Sequence, residues 1–519
     1  MTTRLRKKSD DSETRDGFDA VVVGSGATGG WAAKELTEYG LRVALIEAGP
    51  DLTEGPPPDA ELGEATRQQV QRRSAAFSEA AAHLFVDDLK NPYLTADDEP
   101  FDWIRSRVVG GRMHLWGRMA LRMSERELKA ADYDGEGVDW PLSYADLAPH
   151  YDRVERFLEV RGARDGLPQV PDGIYSAPPR FSTGELAFKR EVEGRWGGRR
   201  VIGARTVEAA PDATIAAARA TGRLTLLPNS VATRVVMDRA DRAGGVAIVD
   251  SRDGVEREVR GRVVMLCAST IESTRLLLNS TSENHPDGLA NFSGLLGHYL
   301  FDHTFGIAIE GSARHGSRRM RDQTIRGCVI PGFRNITETG VDFLRSYGVE
   351  LQINTATTGR FAPVRALLRR PGFWMSTFGE ALPRFESRVS LDPVAKDAWG
   401  VPVARISCRY GENERRMAAD QVEQLQEMAA AADLEVETMR TELAPPGLSI
   451  HEMGTARMGE DPSNSVLNPH NQAWEVPNLF VTDGSCCPSG GFQNPALTLM
   501  ALTVRASATV VRLLDRHEL

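Results

Sequence analysis

The sequence predicts an α/β fold: a Rossmann-like first domain joined to a second domain of antiparallel sheet and helices. Three observations carry this. An apolar run at 18–23 passes through a glycine-rich turn into a helical pattern and out into a second apolar run, a βαβ unit. A later strand-to-helix passage, Arg262-Val263-Val264-Met265-Leu266 and then Glu272 to Leu278, repeats that arrangement. Between 306 and 447, strand-like pieces precede one long amphipathic stretch. A chain of 519 residues also exceeds one ordinary core and fits roughly two to three domains.

Phe18 to Val23 is short, apolar and β-branched, the pattern of a strand buried on both faces. Trp31, Ala32, Leu36 and Tyr39 then recur at helical spacing up to Gly40, a helix stop, and Leu41 to Ile46 forms the next strand, ending at Glu47. Residues 51–100 carry Gly55-Pro56-Pro57-Pro58 and no steady period, and read as a loop or lid with a helix near 64–83. Leu224 to Leu227 is a further strand. In the second unit, Val349 to Ile353 and Arg388 to Leu391 are strand-like. A helix is expected from about 412 to 439, with Met417, Val422, Leu425 and Met428 on one stripe as core packing.

A net charge of −10 and a pI near 5.6 argue against a nucleic-acid partner, which calls for a basic face. No stretch is expected to reach the roughly 18 apolar residues of a membrane span. Residues 1–17 are charged and polar, with neither a secretory core nor a twin-arginine pair, and read as a disordered leader of a cytoplasmic protein. Cys267, Cys328, Cys408, Cys486 and Cys487 are too sparse for a disulfide framework. The adjacent Cys486–Cys487 pair reads as two small buried thiols.

Gly24-x-Gly26-x-x-Gly29 follows a strand, opens a helix and has an acid, Glu47, at the end of the next strand. In that context it reads as a dinucleotide site, with Ala27 and Thr28 in the same turn. Gly24 allows the tight turn, Gly26 lets the backbone approach a pyrophosphate, and Gly29 lets helix and strand pack closely. The helix N-terminus offers free N–H groups to the phosphates. Glu47 accepts from ribose hydroxyls and repels a 2′-phosphate. The motif does not choose between NAD and FAD, but the ending Glu47-Ala48-Gly49 is typical of FAD-binding chains.

Two later segments decide the matter: His451-Glu452-Met453-Gly454-Thr455-Ala456-Arg457-Met458-Gly459, and the run from Asn478 through Asp483-Gly484-Ser485 to Gln493-Asn494-Pro495-Ala496-Leu497-Thr498. With these the chain resembles a glucose–methanol–choline (GMC) oxidoreductase, nearest in pattern to pyranose oxidases, gluconate dehydrogenase flavoprotein subunits and bacterial glycoside 3-oxidases. The resemblance runs from about Phe18 to Leu514. It implies an FAD-binding domain in three segments, 18–118 (with the lid 51–100), 205–305 and 448–519, and a substrate domain in two, 119–204 and 306–447.

The resemblance also implies site residues. His451 and Asn494 match the family's active-site pair: a neutral histidine is a good base for a hydroxyl proton, and an amide holds that hydroxyl in line. Asp483 and Gly484 match the contact with the flavin's ribityl and phosphate region, and Pro495 and Thr498 the turn and helix start beside its ring. Gly110, Gly111, Met113, His114, Trp116 and Gly117 belong to a second flavin-contact loop. Val231 matches an adenine contact, and Ala268 is placed with the cofactor as well. In fungal pyranose oxidases a histidine just before the matching tryptophan carries the flavin covalently. Leu115 stands there, so the FAD is expected to be noncovalent, and His114, one residue off, is expected to point elsewhere. Gly297-His298-Tyr299-Leu300-Phe301-Asp302-His303 resembles the motif closing the cofactor domain, with His303 structural. Arg345, Tyr347, Gln352, Asn354 and Trp374 are substrate-side candidates by their place in the second domain.

The expected reaction is FAD-dependent oxidation of a secondary alcohol, at C3 or C2 of a sugar or glycoside, to the ketone, with O2 or a quinone-type acceptor reoxidising the flavin. No metal is expected, and an oligomer is compatible with the sequence. A dehydrogenase flavoprotein passing electrons to a partner, and a non-redox lyase on the same fold, are the alternatives.

Overall fold

A computed structural model describes residues 17–54, 70–314, 327–355 and 371–519. The first sheet runs Leu224–Leu227, Val43–Ile46, Phe18–Val23, Glu256–Leu266, Ala243–Asp250, Ser230–Met237, with Leu479–Val481 also paired to Glu256–Leu266. Its central strands are parallel: Val21 lies between Ala44 and Val264. They are apolar along their length because both faces are covered, and Val21, Val22, Ala44 and Val264 are wholly buried. Helices Ala27–Glu38 and Ala496–Asp515 cover it, and helix Tyr144–Leu158 packs its Leu147, Tyr151 and Val154 into the same core as Val21 and Leu497.

The second sheet is antiparallel, in the order Leu434–Arg440, Ala308–Ala313, Gly372–Gly379, Tyr347–Thr355, Cys328–Ile330, Ile202–Gly203. Strand alternation divides its faces. Tyr347, Val349, Leu351, Phe373 and Met375 pack with Met417, Leu425 and Met428 of helix Glu412–Ala431. Gly348, Glu350, Gln352, Trp374, Ser376 and Phe378 fall on the opposite face. A Cβ on Gly348 would stand 2.8 Å from the Phe492 ring, so this opposite face looks toward the first domain. A smaller sheet, formed by the hairpin Arg388–Lys396 and Pro402–Ser407 with Leu94–Thr95, packs Val389 and Ile406 against Ile271 and Leu300.

Three expectations need correction. The helix expected to 439 stops at Ala431. Asp433 turns left-handed (φ 53°), and the alternating Leu434-Glu435-Val436 run joins the sheet edge beside Ala308–Ala313. The helix expected near 64–83 is, in its described part, two 3-10 turns, Gln71–Arg73 and Glu79–Leu84. Ser74 and Ser78 are extended between them, and Ser78 caps the second. Residues 64–69, and the leader apart from Gly17, lie outside the described residues. Finally, helix Ala496–Asp515, at 20 residues and mean hydropathy 1.5, is long and apolar enough to cross a membrane. Here it is a core helix: Leu497, Met500, Ala501 and Leu502 are fully enclosed by the first domain.

Candidate active site

One deep cleft collects most of the expected residues. It begins at Glu47, Ala48 and Val231, passes Gly24 to Thr28 and Ala268, and ends at His451, Asp483, Gly484 and Pro495. At its near end Gly24 takes a positive φ of 92°, and its N–H donates to Ile46 O at 2.8 Å. Gly29 is a packing residue: a Cβ there would lie 1.7 Å from the Gly24 carbonyl oxygen. Gly26 faces open space, with no atom within 4 Å of where its Cβ would stand. It also begins helix Ala27–Glu38 without a side-chain cap. The first-turn N–H groups are thus free for an anion, and backbone can approach it closely.

Glu47 closes this end. Its carboxylate accepts from Ser25 N at 3.1 Å, Ser25 Oγ at 2.5 Å and Gly49 N at 2.9 Å, which leaves acceptor capacity for a hydroxyl. Burial nonetheless pushes its carboxyl upward. Ser25 Oγ in turn accepts from Gly110 N at 3.0 Å, tying the first loop to the second.

At the far end His451 is held at two points. Its backbone N–H donates to Asp302 Oδ1 (3.1 Å), and its Nδ1 lies 2.9 Å from His303 Nδ1, the rings edge-to-face at 77°. Phe378 of the second domain lies 6.0 Å away between ring centroids. Burial, with His303 and the Arg112 guanidinium, holds His451 well below the usual histidine range, so the ring is neutral at pH 7. Asp302 also accepts from Gly447 N (2.6 Å) and Ser449 Oγ; burial and the neighbouring Glu452 push it up to about 7. Asp483 accepts from Ser485 and Ser273, which fixes the turn at Gly484. Pro495 begins helix Ala496–Asp515, also without a side-chain cap, so a second free helix N-terminus opens on the cleft.

Gly111, Met113, Leu115, Trp116 and Gly117 border the cleft. Five expected residues do not. His114 turns back, its Nε2 3.0 Å from Val109 O and packed over Gly110, as its offset from Leu115 implied. Gly110, at φ 94°, shapes the loop from behind. Gly29 serves packing alone. Thr498 exchanges a 2.7 Å hydrogen bond with Tyr151 and so faces helix Tyr144–Leu158. Asn494 stands one residue outside the lining Pro495, half-buried and without a hydrogen-bond partner among the described residues.

The sequence reading missed the charged rim. Arg105, Arg107, Arg112, Glu272 and Arg275 border the cleft. Arg107 and Arg275 bind Glu272 at 2.8 and 3.3 Å, and Arg112 binds Glu452 at 2.6 Å. Burial alone would push Glu272 up, but Arg107, Arg275 and Arg105 hold it down to about 2. The signal available was Arg107 standing directly before Val108-Val109-Gly110-Gly111. Of the substrate-side candidates, Tyr347 is bonded to Asp420 on the helix face, and Arg345 is paired with Asp134 and Glu380. Gln352 and Trp374 sit opposite each other on the sheet face turned toward the first domain, and neither lines the cleft. The side chain of Asn354 lies outside the described residues.

Together, a glycine turn open to a pyrophosphate, an acid placed for a ribose, and a second uncapped helix beside a neutral histidine fit a long flavin dinucleotide. Among the described residues no cluster of metal-ligating side chains occurs. Residues 18–305 match the family model described as GMC oxidoreductase, N-terminal part, and residues 383–503 match its C-terminal part. The chain is 31% identical to a 2-methyl-1,2-propanediol dehydrogenase of Mycolicibacterium austroafricanum, covering 96% of each chain. It is 29% identical to a paromamine 6'-oxidase of Streptomyces fradiae, covering 98% of this chain and 94% of that one. To a C-glycoside 3-oxidase of Arthrobacter globiformis it is 25% identical, covering 95% and 94%. Among solved structures, pyridoxine 4-oxidase from Mesorbium loti superposes with a TM-score of 0.64 at 19% identity, over 95% of this chain and 98% of that one.

Proposed function

The chain belongs to the GMC oxidoreductase family of FAD flavoproteins, and on that premise we propose that it oxidises a hydroxyl-bearing carbon of a sugar, glycoside or related polyol, with a secondary alcohol at C3 or C2 as the preferred target. The observation that carries this reading is His451. It is a half-buried imidazole, held well below the usual histidine range, at the far end of a cleft whose near end is built for a dinucleotide.

When bound, FAD supplies the acceptor for the hydride leaving the alcohol carbon. The side chains do the rest. Gly24 to Thr28 would cradle the pyrophosphate, Glu47 would take a ribose hydroxyl and Val231 would meet the adenine end. His451 accepts the hydroxyl proton at the ring nitrogen turned away from His303, a role worth about 10²–10⁴ in rate. Asn494 does not line the cleft itself, but it adjoins the lining Pro495 and has no hydrogen-bond partner among the described residues, so its amide would have to turn inward to hold the same hydroxyl in line. Leu115 stands where a covalent linkage would need a histidine, so the flavin is held noncovalently.

The polyol preference is supported by the face of the second sheet turned toward the first domain, where Glu350, Gln352 and Trp374 combine hydrogen-bonding groups with an aromatic plane. The C-glycoside 3-oxidase and paromamine 6'-oxidase relatives point the same way. The acceptor is O2 or a quinone-type oxidant; the dehydrogenase relative favours the second. The test is anaerobic flavin absorbance against glucose, C- and O-glycosides, gluconate, 1,2-diols and aryl alcohols. Bleaching by a sugar or glycoside supports the reading. Bleaching by a simple alcohol alone discards the substrate, and no bleaching by any of them moves the reading to a substrate outside the panel, a non-redox lyase or a protein that only holds FAD. Peroxide release on admitting air separates oxidase from dehydrogenase.

A further inference from the structure

Among the described residues, the only hydrogen-bond partner of the His451 ring is another imidazole, that of His303, with Nδ1 to Nδ1 at 2.9 Å. Such a bond needs one proton on one of the two facing nitrogens. Neither ring is a cation at pH 7: burial pushes His303 down to about 4 and His451 well below its usual range. Each ring therefore carries a single proton, and two arrangements exist. In the first, His451 donates from Nδ1 and its Nε2 keeps a free lone pair. In the second, His303 donates, the His451 proton sits on Nε2, and that nitrogen cannot accept from a substrate.

The base role chooses between them: His303 Nδ1 is the only partner of the His451 ring among the described residues, so His451 presents a bare Nε2 only when it donates from Nδ1 to His303. On its far side the His303 Nε2 is enclosed and has no hydrogen-bond partner among the described residues. The rest of the setting fixes the ring in place. Tyr410 Oη donates to His303 O at 2.7 Å, and the adjacent Asp302 holds the His451 backbone.

We propose that His303 is a positioning residue: it accepts the Nδ1 proton of His451 and so holds the base in the tautomer that presents a bare Nε2 to the substrate. This rests on the reading of His451 as base and deepens it. The ionisable groups around the pair are Arg112 and Glu452 beside His451, Asp302 beside His303, and Tyr410 behind it.

The test uses the FAD-loaded protein with ¹⁵N-labelled histidine and two variants. His303→Leu removes the acceptor. His303→Asn places a carbonyl oxygen near the lost Nδ1. The expected ¹⁵N spectrum shows His451 protonated at Nδ1 and bare at Nε2 in the wild type, and a mixture in His303→Leu. With a substrate that bleaches the flavin, His303→Leu keeps its flavin content and KM but reduces several-fold more slowly, in proportion to the fraction of His451 left bare at Nε2, and His303→Asn stays near the wild-type rate. A proton on Nε2 of His451 in the wild type, wild-type rates in His303→Leu, or equal damage in both variants would each overturn the proposal. If no alcohol bleaches the flavin, the functional reading fails while the spectrum still decides the tautomer. If His303→Leu does not fold, the wild-type spectrum and the asparagine variant decide.

Discussion

The backbone N–H of His451 donates to Asp302 Oδ1 across 3.1 Å, one residue before the histidine whose ring meets its own. A single short segment thus sets both the backbone and the ring of the candidate base. Asp302 also accepts from Gly447 and Ser449, so one carboxylate gathers three donors from the loop that delivers His451.

Asp302→Asn should therefore slow flavin reduction while sparing FAD content. It also carries a pH signature. Burial and Glu452 raise Asp302 to about 7, against the usual 3.8 of an aspartate. Between these values the folded protein holds the proton more tightly than the unfolded chain. Stability is therefore gained at low pH and lost as pH rises through about 7. The variant has no such titration. At pH 5 it should be destabilised by about 1–3 kcal/mol for mismatched donors, and the gap to wild type should narrow by pH 8. Thermal unfolding of both proteins across that range checks this, and a pH-independent gap would reject the shifted carboxyl.

His451→Ala should keep the yellow cofactor and lose flavin reduction by about 10²–10⁴. In the wild type, protonation removes the base, and His451 is held well below 6.5. The reduction rate should therefore stay level as pH falls through 6.5, its acid limb lying lower. Stopped-flow absorbance between pH 4.5 and 9 measures both. Near-normal reduction in the alanine variant would transfer the proton to another group.

Two alanine substitutions in the glycine turn should fail differently. Gly29→Ala drives a Cβ to 1.7 Å from the Gly24 oxygen, so helix and strand must part and the domain should misfold or unfold early. Gly26→Ala meets nothing in the protein. It should fold with unchanged secondary structure and lose affinity for FAD, because only a ligand occupies that space. Equal behaviour of the two by circular dichroism and flavin titration would contradict this division.

How much of this could be read beforehand follows from where each signal lies. The Gly24–Glu47 unit and the His451 and Asp483 segments were legible because their chemistry sits in contiguous residues at fixed spacing. The end of the helix at Ala431 was not, since Leu434 to Met439 satisfies helical and alternating patterns alike and only the free edge of Ala308–Ala313 decides. Nor was the facing of Thr498 and Asn494: a motif gives order along the chain, whereas one rotation about a turn decides which neighbour meets the cleft. The pairing of His303 with His451 joins positions 148 apart and had no local signature.

The five cysteines should be silent in the native protein. All are buried and free. Burial pushes the Cys267 thiol up to about 12, and burial with Cys487 pushes Cys486 up, so little thiolate exists at pH 8. Ellman's reagent should find almost no reactive thiol until denaturant is added and then titrate all five, and dithiothreitol should leave activity unchanged. Early reaction of the 486–487 pair would reopen a redox role.

Glu350 gives the sharpest test of the substrate side. It lies on the sheet face turned toward the first domain, paired in register with Ser376 and flanked by Gly348, which abuts Phe492, and by Gln352 opposite Trp374. Among the described residues it has no ion-pair or hydrogen-bond partner, and burial pushes it up to about 7. A carboxylate so placed, without an ion-pair partner among the described residues, gains most from hydroxyl groups brought by a ligand. Glu350→Gln keeps the shape and one acceptor. It should raise KM for a polyol substrate about tenfold, one charge-assisted hydrogen bond's worth, while kcat, FAD content and stability hold. Glu350→Leu should raise KM further and should be at least as stable as wild type, because it removes a buried charge. A rise in KM only for substrates with several hydroxyls would fix Glu350 as a recognition group; an equal rise for a simple monohydric alcohol, or none, would place the substrate elsewhere on the sheet.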